Sequence, residues 1–242
     1  MPDPDGGFAA RHAVLARGYI GRPDPDDPAL VEAMQIVLHI PKVDPPLRSS
    51  VLAAAAAATL TLCLDDRVGP DGPWHRSYLS WATSRFRKVA RRARGAQWQA
   101  AQEVPGITVE LGGAQARALV PGPVGELDPR IKRLQVGGTD LVHDDPGPPH
   151  AARPVFWVQA ALDMTVGKAA AQVGHAAMLL AGTMPAGDVF AWAQSGFACS
   201  VRDAGADVWQ RVTQRVDAAA VRDAGFTEVM PGSMTVVGVP QP

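Results

Sequence analysis

The chain has 242 residues, 47% of them hydrophobic and 19% charged, and its formal net charge is −1. This composition excludes a wholly disordered protein, and the length suffices for one large core or, as we predict, two smaller ones. Without an overall positive charge, a nucleic-acid partner has to be bound by a local basic patch.

Cysteine content and hydropathy bear on the compartment. Cys63 and Cys199 are far apart and lack the spacing of a metal or redox pair, which favours free thiols, with a disulfide as the alternative. The N-terminus does not look like a signal peptide, and the apolar run 51–64 is too short to span a bilayer. We therefore expect a cytoplasmic protein without a membrane partner.

Residues 1–30 predict a flexible leader with one short helix over 9–16, because three prolines alternate with aspartates before Leu30. The next part, 31–143, begins with a strand-like run at 34–40 and a small-residue helix at 49–64. We assign these two segments as separate units.

A basic run follows in this first half. Six of the ten residues 85–94 are basic, and we predict a helix there. The run can neutralise phosphates of an RNA stem, or it can be a solvated face. The candidate RNA-binding residues in it are Arg85, Lys88, Arg91 and Arg92.

Residues 144–152 have the proline- and glycine-rich composition of a linker, and the two halves on either side look related. Residues 81–86 align with 192–197, matching a tryptophan and a phenylalanine, and at the same offset Trp98 meets Trp209. We interpret this as an internal duplication, with chance similarity as the alternative.

The second half, 153–242, alternates strands with helices. Strands are predicted at 155–161, 197–203, 219–223 and 234–239, and helices at 168–180, 186–195 and 204–215. This order predicts an α/β fold with a mixed β-sheet and helices on both faces. In such folds, ligands usually bind beyond the carboxyl ends of the strands.

One helix of this half separates polar from apolar residues. Lys168, Gln172 and His175 form one stripe, opposite a stripe of small apolar residues. Gly167 suits a tight strand-to-helix turn, which would place Lys168 beside unpaired backbone N–H groups that attract anions.

Two segments carry a family resemblance. The first is Met164-x-x-Gly167-Lys168-x-x-Ala171-Gln172-x-x-His175-Ala176-Ala177, and the second is the run 221–228 followed by Pro231-Gly232-Ser233-x-Thr235-Val236. In this order they resemble the type II peptidyl-tRNA hydrolase family, over most of residues 153–242.

The resemblance implies a peptidyl-tRNA hydrolase II-like fold and hydrolysis of the ester between a peptide and tRNA. It implies Lys168, Asp223 and Thr227 as the catalytic residues. We assign Gly167, Gln172, His175 and Gly225 as substrate-binding residues beside them. Peptidyl-tRNA is the implied partner, and no cofactor is implied.

The family also forms homodimers, so we interpret residues 31–143 as a degenerate copy that replaces a second subunit. This predicts a monomer that acts as an intramolecular pseudo-dimer. Under the internal alignment, Leu47, Val51 and Ala54 stand near the places of the polar stripe, which leaves the copy chemically empty.

The sequence departs from the family pattern at three positions. Val166 stands where the family has a lysine, Phe226 where it has an arginine, and Glu228 where it has a glutamine. A catalytically impaired RNA- or protein-binding module that retains the fold is therefore the alternative to an esterase.

Each assigned residue also has a structural interpretation. Asp223 either orients the attacking water or caps a turn, and Thr227 either holds water or a ribose hydroxyl or is structural. Lys168 pairs with a phosphate or Asp223, or is solvated, and Gln172 contacts substrate or fixes a loop. We expect His175 at the edge of the site, bonded to backbone.

No metal site is predicted. Two histidines and two aspartates cluster in and beside the linker, but they lack regular ligand spacing: His143, Asp144, Asp145 and His150.

Overall fold

The computed structural model describes residues 6–18, 23–137, 140–223 and 228–242. The helices are α1 Gly6–Ala16, α2 Arg48–Leu64, α3 His75–Ala82, α4 Gly95–Gln102, α5 Pro129–Lys132, α6 Val166–Thr183, α7 Ala186–Ala193 and α8 Ala206–Thr213. The strands are β1 Glu32–His39, β2 Lys88–Ala93, β3 Gly106–Leu111, β4 Ala114–Leu119, β5 Gly122–Pro123, β6 Val155–Gln159, β7 Ser200–Ala204, β8 Ala219–Arg222 and β9 Met234–Val239.

The strands form two mixed sheets with the same topology. The first has the order β2-β1-β4-β3, with the short β5 beside β1, and the second has the order β7-β6-β9-β8. In each, the first strand pairs in parallel with the second and antiparallel with the last. The predicted α/β class is confirmed, and the shared topology supports the predicted duplication.

Helices α2 and α6 pack against each other between the two sheets. The run 53–58 of α2 is alanine throughout and almost fully buried, which lets the helices approach closely. A Cβ added at Gly174 of α6 would lie 2.8 Å from the Thr59 Oγ1 of α2. The two halves therefore share one hydrophobic core, to which both helices contribute.

The outer face of each sheet carries its own smaller core. Trp98 of α4 and Ile131 of α5 pack on the first sheet with Val37. Val212 of α8 packs on the second sheet with Val237. Helices thus cover both faces of each sheet, as predicted.

The prediction of a helix over 85–94 is wrong. Residues 88–93 form β2, an edge strand parallel to β1, with Met34 opposite Lys88 and Leu38 opposite Arg92. Phe86 has a φ of 49°, which interrupts any helix before the strand. Charged residues suit an edge strand, and pairing with the buried β1 overrides the local helical preference.

Part of the predicted leader belongs to the core. Phe8 and Leu15 of α1 are 5% and 4% exposed, and the buried His12 Nε2 lies 2.8 Å from the Ala181 O of α6. This segment differs from the expectation because its apolar residues pack on α6 and α7, with Phe8 edge-on to Phe190.

The predicted linker crosses the surface in an extended path with its own contacts. The Asp144 carboxylate accepts hydrogen bonds from the Ser49 N–H and hydroxyl, and the Arg202 Nε donates to the Gly147 O.

Among the described residues, no helix is long and apolar enough to cross a membrane.

Candidate functional site

A cleft of about 470 Å³ lies where the two halves meet. The second half contributes the start of α6 together with Asp223 and Glu228, and the first half contributes the segment that leads into β2. The polar and aromatic side chains that line the cleft include Arg85, Phe86, Lys88, Thr165, Lys168, Gln172, His175, Asp223 and Glu228.

Lys168 and Asp223 form a buried ion pair at the base of this cleft. The Lys168 Nζ donates to the Asp223 Oδ1, and their side chains are only 7% and 6% exposed. Lys168 lies on the first turn of α6, and Asp223 follows β8 directly. The two residues therefore meet although they are far apart in sequence, and removing either would leave a buried charge unpaired.

Gln172 connects this pair to the sheet. Its Nε2 donates to the Asp223 Oδ1 at 2.9 Å, and its Oε1 accepts from the Thr235 hydroxyl, also at 2.9 Å. Thr235 is fully buried on β9. Two side chains of α6, Lys168 and Gln172, thus hold the Asp223 carboxylate directly, and Thr235 of β9 holds Gln172, which limits the rotamers of the carboxylate.

The N-terminus of α6 is capped by the protein itself. The Thr165 Oγ1 accepts from the Lys168 N–H, and the Glu228 carboxylate accepts from the N–H and hydroxyl of Thr165. Gly167 lies inside the first helical turn, and the left-handed residue in the preceding turn is Asp163, with a φ of 43°. The prediction that Gly167 forms the strand-to-helix turn is therefore wrong. The Glu228 carboxylate interacts with this end of α6 through Thr165.

His175 lines the same cleft two turns into α6. It is partly buried, and the Phe86 ring lies edge-on at 6.2 Å. Burial, with the charge of Lys88, lowers its pKa well below the ordinary value, so the imidazole is neutral at pH 7. The expected backbone hydrogen bond is not present among the described residues, and aromatic packing takes its place.

Lys88 brings a second amine to the cleft from the first half. Its Nζ donates to the Phe86 O at 2.9 Å and lies 5.3 Å from the Trp81 ring centroid. Burial lowers the pKa of Lys88 from 10.5 to about 7. Lys88 is therefore close to half-protonated at neutral pH.

The four candidate RNA-binding residues of the run 85–94 do not all lie in the cleft. Arg85 lines the cleft and lies 3.7 Å from Asp24, whose pKa is lowered chiefly by its hydrogen bond to Arg87. The Arg91 guanidinium turns inward, donating to the Gln35 Oε1 and the Leu134 O, and Arg92 lines another cavity. Neither Arg91 nor Arg92 lines the cleft.

The corresponding region of the first half has a different form. The third residue of α2 is Ser50, where α6 has Lys168, and β3 joins β4 through a tight turn at Gly112 and Gly113, both with positive φ. In the second half, eleven residues separate the end of β8 from the start of β9, and the first of them is Asp223. The tight turn between β3 and β4 of the first half has no residue at the place of this carboxylate.

Two predicted site residues are not described by the structure, and two residues that contact the site were not predicted. Thr227 and Gly225, predicted as catalytic and substrate-binding, lie outside the described residues. Glu228 and Thr235 contact the site, but sequence reasoning gave them no role. Only their places in the second resembling segment could have indicated one.

Among the described residues, no group of three or more histidine, cysteine, aspartate or glutamate side chains could hold a metal ion. Cys63 and Cys199 are free and buried, and burial raises the pKa of each thiol to about 12.

The cleft provides a fixed carboxylate beside an ammonium group, with N–H and hydroxyl donors nearby.

These observations define an α/β protein with a buried lysine–aspartate pair at the edge of its second sheet. The C-terminal part of the chain, residues 153–242, matches the family model described as peptidyl-tRNA hydrolase PTH2. The resemblance inferred from the two segments is thereby confirmed for this part, and the match supports a peptidyl-tRNA hydrolase-like function at the level of the family. The comparison with curated proteins found no match.

Proposed function

We propose that the chain hydrolyses the ester bond of peptidyl-tRNA, releasing the peptide and the free tRNA. The observation that carries the proposal is the buried contact of Lys168 with Asp223 in an open cleft, within the segment that matches the family. Water attacks the ester carbonyl carbon, the bond from that carbon to the ribose oxygen breaks, and a proton from water ends on the ribose oxygen.

Asp223 holds and deprotonates the attacking water in this proposal. Its Oδ1 is occupied by Lys168 and Gln172, so both partners fix the direction of the carboxylate. A carboxylate that is held in one orientation loses little entropy when it binds the water. Thr235 acts one step further away by orienting Gln172, and it is a positioning residue.

Lys168 stabilises the negative charge that develops on the carbonyl oxygen. Its ammonium group is almost fully buried, and an interaction with an oxyanion is stronger there than in water. Thr227, which the resemblance implies, completes the set in our proposal. Arg85 and Lys88 line the opposite wall and contact the RNA end of the substrate.

Hydrolysis of an N-acetylated aminoacyl-tRNA tests these roles. We expect Asp223→Asn to lower kcat at least about 100-fold, the lower range for a lost general base, with the fold intact by circular dichroism. Asp217→Asn is the matched control, because Asp217 is a surface partner of Arg215 outside the cleft. Equal rates for Asp223→Asn and wild type would refute the assignment.

A catalytically impaired RNA-binding module is the second candidate. It is favoured by Val166, which is 1% exposed and packs in the core at the first helical position of α6. This position adds no charge to the cleft, whereas the family has a lysine there. A wild-type protein that binds the acylated tRNA without cleaving it would favour the module.

A further inference from the structure

A second cavity, of about 250 Å³, lies beside the cleft at the other end of β2. Three arginines and two glutamines dominate its lining: Arg92, Arg94, Arg133, Gln97 and Gln135. Within the part of the chain that the structure describes, no carboxylate lines it. We refer to it as the arginine pocket.

The arginine pocket concentrates positive charge that acidic side chains compensate only in part. Arg92 donates to the Gln135 Oε1, a neutral partner, and within the described residues neither Arg94 nor Arg133 has a carboxylate within 4 Å. Asp128 lies near Arg133, but Arg130 binds both of its oxygens. Three guanidinium groups around one cavity repel each other unless an anion lies between them.

The start of α4 lies at the edge of this pocket. Arg94 is the N-cap residue, its side chain makes no capping hydrogen bond, and Arg94 and Gln97 both line the pocket. The Gln97 N–H donates to the Arg94 O within the first turn. The helix therefore contributes its partial positive charge beside the three arginines, and the arginine side chains supply the hydrogen-bond donors.

The pocket adjoins the cleft. Gln135 lines the arginine pocket and the next residue, Val136, lines the cleft. The segment from Gln135 pairs with β2 at Arg92, and β2 itself runs from Lys88 in the cleft to Arg92 in the pocket. Three residues of strand lie between these two positions, which are about 13 Å apart. This distance is short enough for one RNA chain to contact both.

We propose that the arginine pocket binds a backbone phosphate of the tRNA while the acylated end occupies the cleft. The inference rests on the proposed function for the identity of the RNA, but the phosphate contact itself is independent of catalysis. Arg94 and Arg133 hold the phosphate oxygens, and Arg92 with Gln135 forms the wall toward the cleft. The contact reads no base sequence and sets the register of the RNA.

Binding of deacylated tRNA, followed by fluorescence anisotropy over a range of KCl concentrations, tests the inference. We expect Arg94→Ala/Arg133→Ala to raise the Kd at least about ten-fold at low salt, and to reduce the slope of log Kd against log salt by about two. Inorganic phosphate is the second probe: it should compete with tRNA on wild type and less on the double variant.

The matched control is Arg76→Ala/Arg211→Ala, which removes the same charge from two exposed arginines on α3 and α8 that line neither cavity. An equal loss of affinity in the control would show a general charge effect and overturn the inference, as would an unchanged Kd in the Arg94/Arg133 variant.

Hydrolysis separates this inference from the proposed function. If wild type cleaves the acylated tRNA, we expect the Arg94/Arg133 variant to raise KM and leave kcat unchanged, and an unchanged KM would overturn the pocket alone. If wild type cleaves nothing but the variant still loses tRNA affinity, the pocket stands and the hydrolase proposal fails.

Discussion

Replacing Lys88 with methionine should stabilise the protein at neutral pH and flatten its pH dependence. In the folded protein the pKa of Lys88 is about 7, against 10.5 for a free lysine. The unfolded chain therefore binds a proton that the folded chain releases between pH 7 and 10.5, so stability rises with pH across this window. Below pH 7 the full cost of burying the charge is present.

The difference between the two pKa values corresponds to at most about 4.8 kcal/mol. Because the side chain stays partly accessible to water and the Phe86 carbonyl would lose its donor, we expect a net gain of about 1 to 3 kcal/mol for Lys88→Met at pH 6.5. The gain should shrink as the pH approaches 10.

Urea unfolding at pH 6.5, 8 and 9.5 measures this change. The matched control is Lys132→Met, which removes an exposed lysine of α5 and should leave the pH dependence as in wild type. A Lys88→Met protein whose stability relative to wild type is the same at all three pH values would refute the argument, because it would show that Lys88 titrates alike in both states.

Three further predictions concern packing. Gly174→Ala should destabilise the protein by about 1 to 2 kcal/mol, because the added Cβ would lie too close to Thr59. Thr59→Ala should remove most of that effect in a double-mutant cycle measured by urea unfolding. Additive effects of the two substitutions would contradict the contact. Arg48→Met should cost about 2 kcal/mol by thermal denaturation, since the Asp203 carboxylate would lose its buried partner and keep only the more exposed His143, and Arg48→Met/Asp203→Leu should be less destabilised than the single variant. Phe8→Ala should cost about 3 kcal/mol in the same assay, whereas no loss would show that α1 is not part of the core.

The sequence predicted those elements whose pattern is local. The polar stripe at 168, 172 and 175 and the apolar residues opposite it predicted α6, since a helix with one buried face has a period near 3.6. Strand β9 was predicted with the bounds that the structure has, 234–239, and five of its six residues are buried. The contact of Lys168 with Asp223 was one of the alternatives stated for Lys168, and the family resemblance had named both as site residues.

The errors come from non-local contacts. The run 85–94 has no strong strand pattern of its own, and its pairing with β1 decides its conformation. The placement of Lys88 in the cleft depends on how α6 packs across the halves, and the cap by Glu228 depends on the path of a loop. None of these is encoded within a short window of sequence.

Single-turnover hydrolysis by the wild-type protein tests the central claim most directly. With protein in excess over an N-acetylated aminoacyl-tRNA, the cleft of Lys168 and Asp223 should release the acyl amino acid in one exponential phase, far faster than the ester decays alone. Asp223→Asn should bind the same tRNA with an unchanged Kd and show only the spontaneous rate. Tight binding by wild type with release at the spontaneous rate would contradict the account.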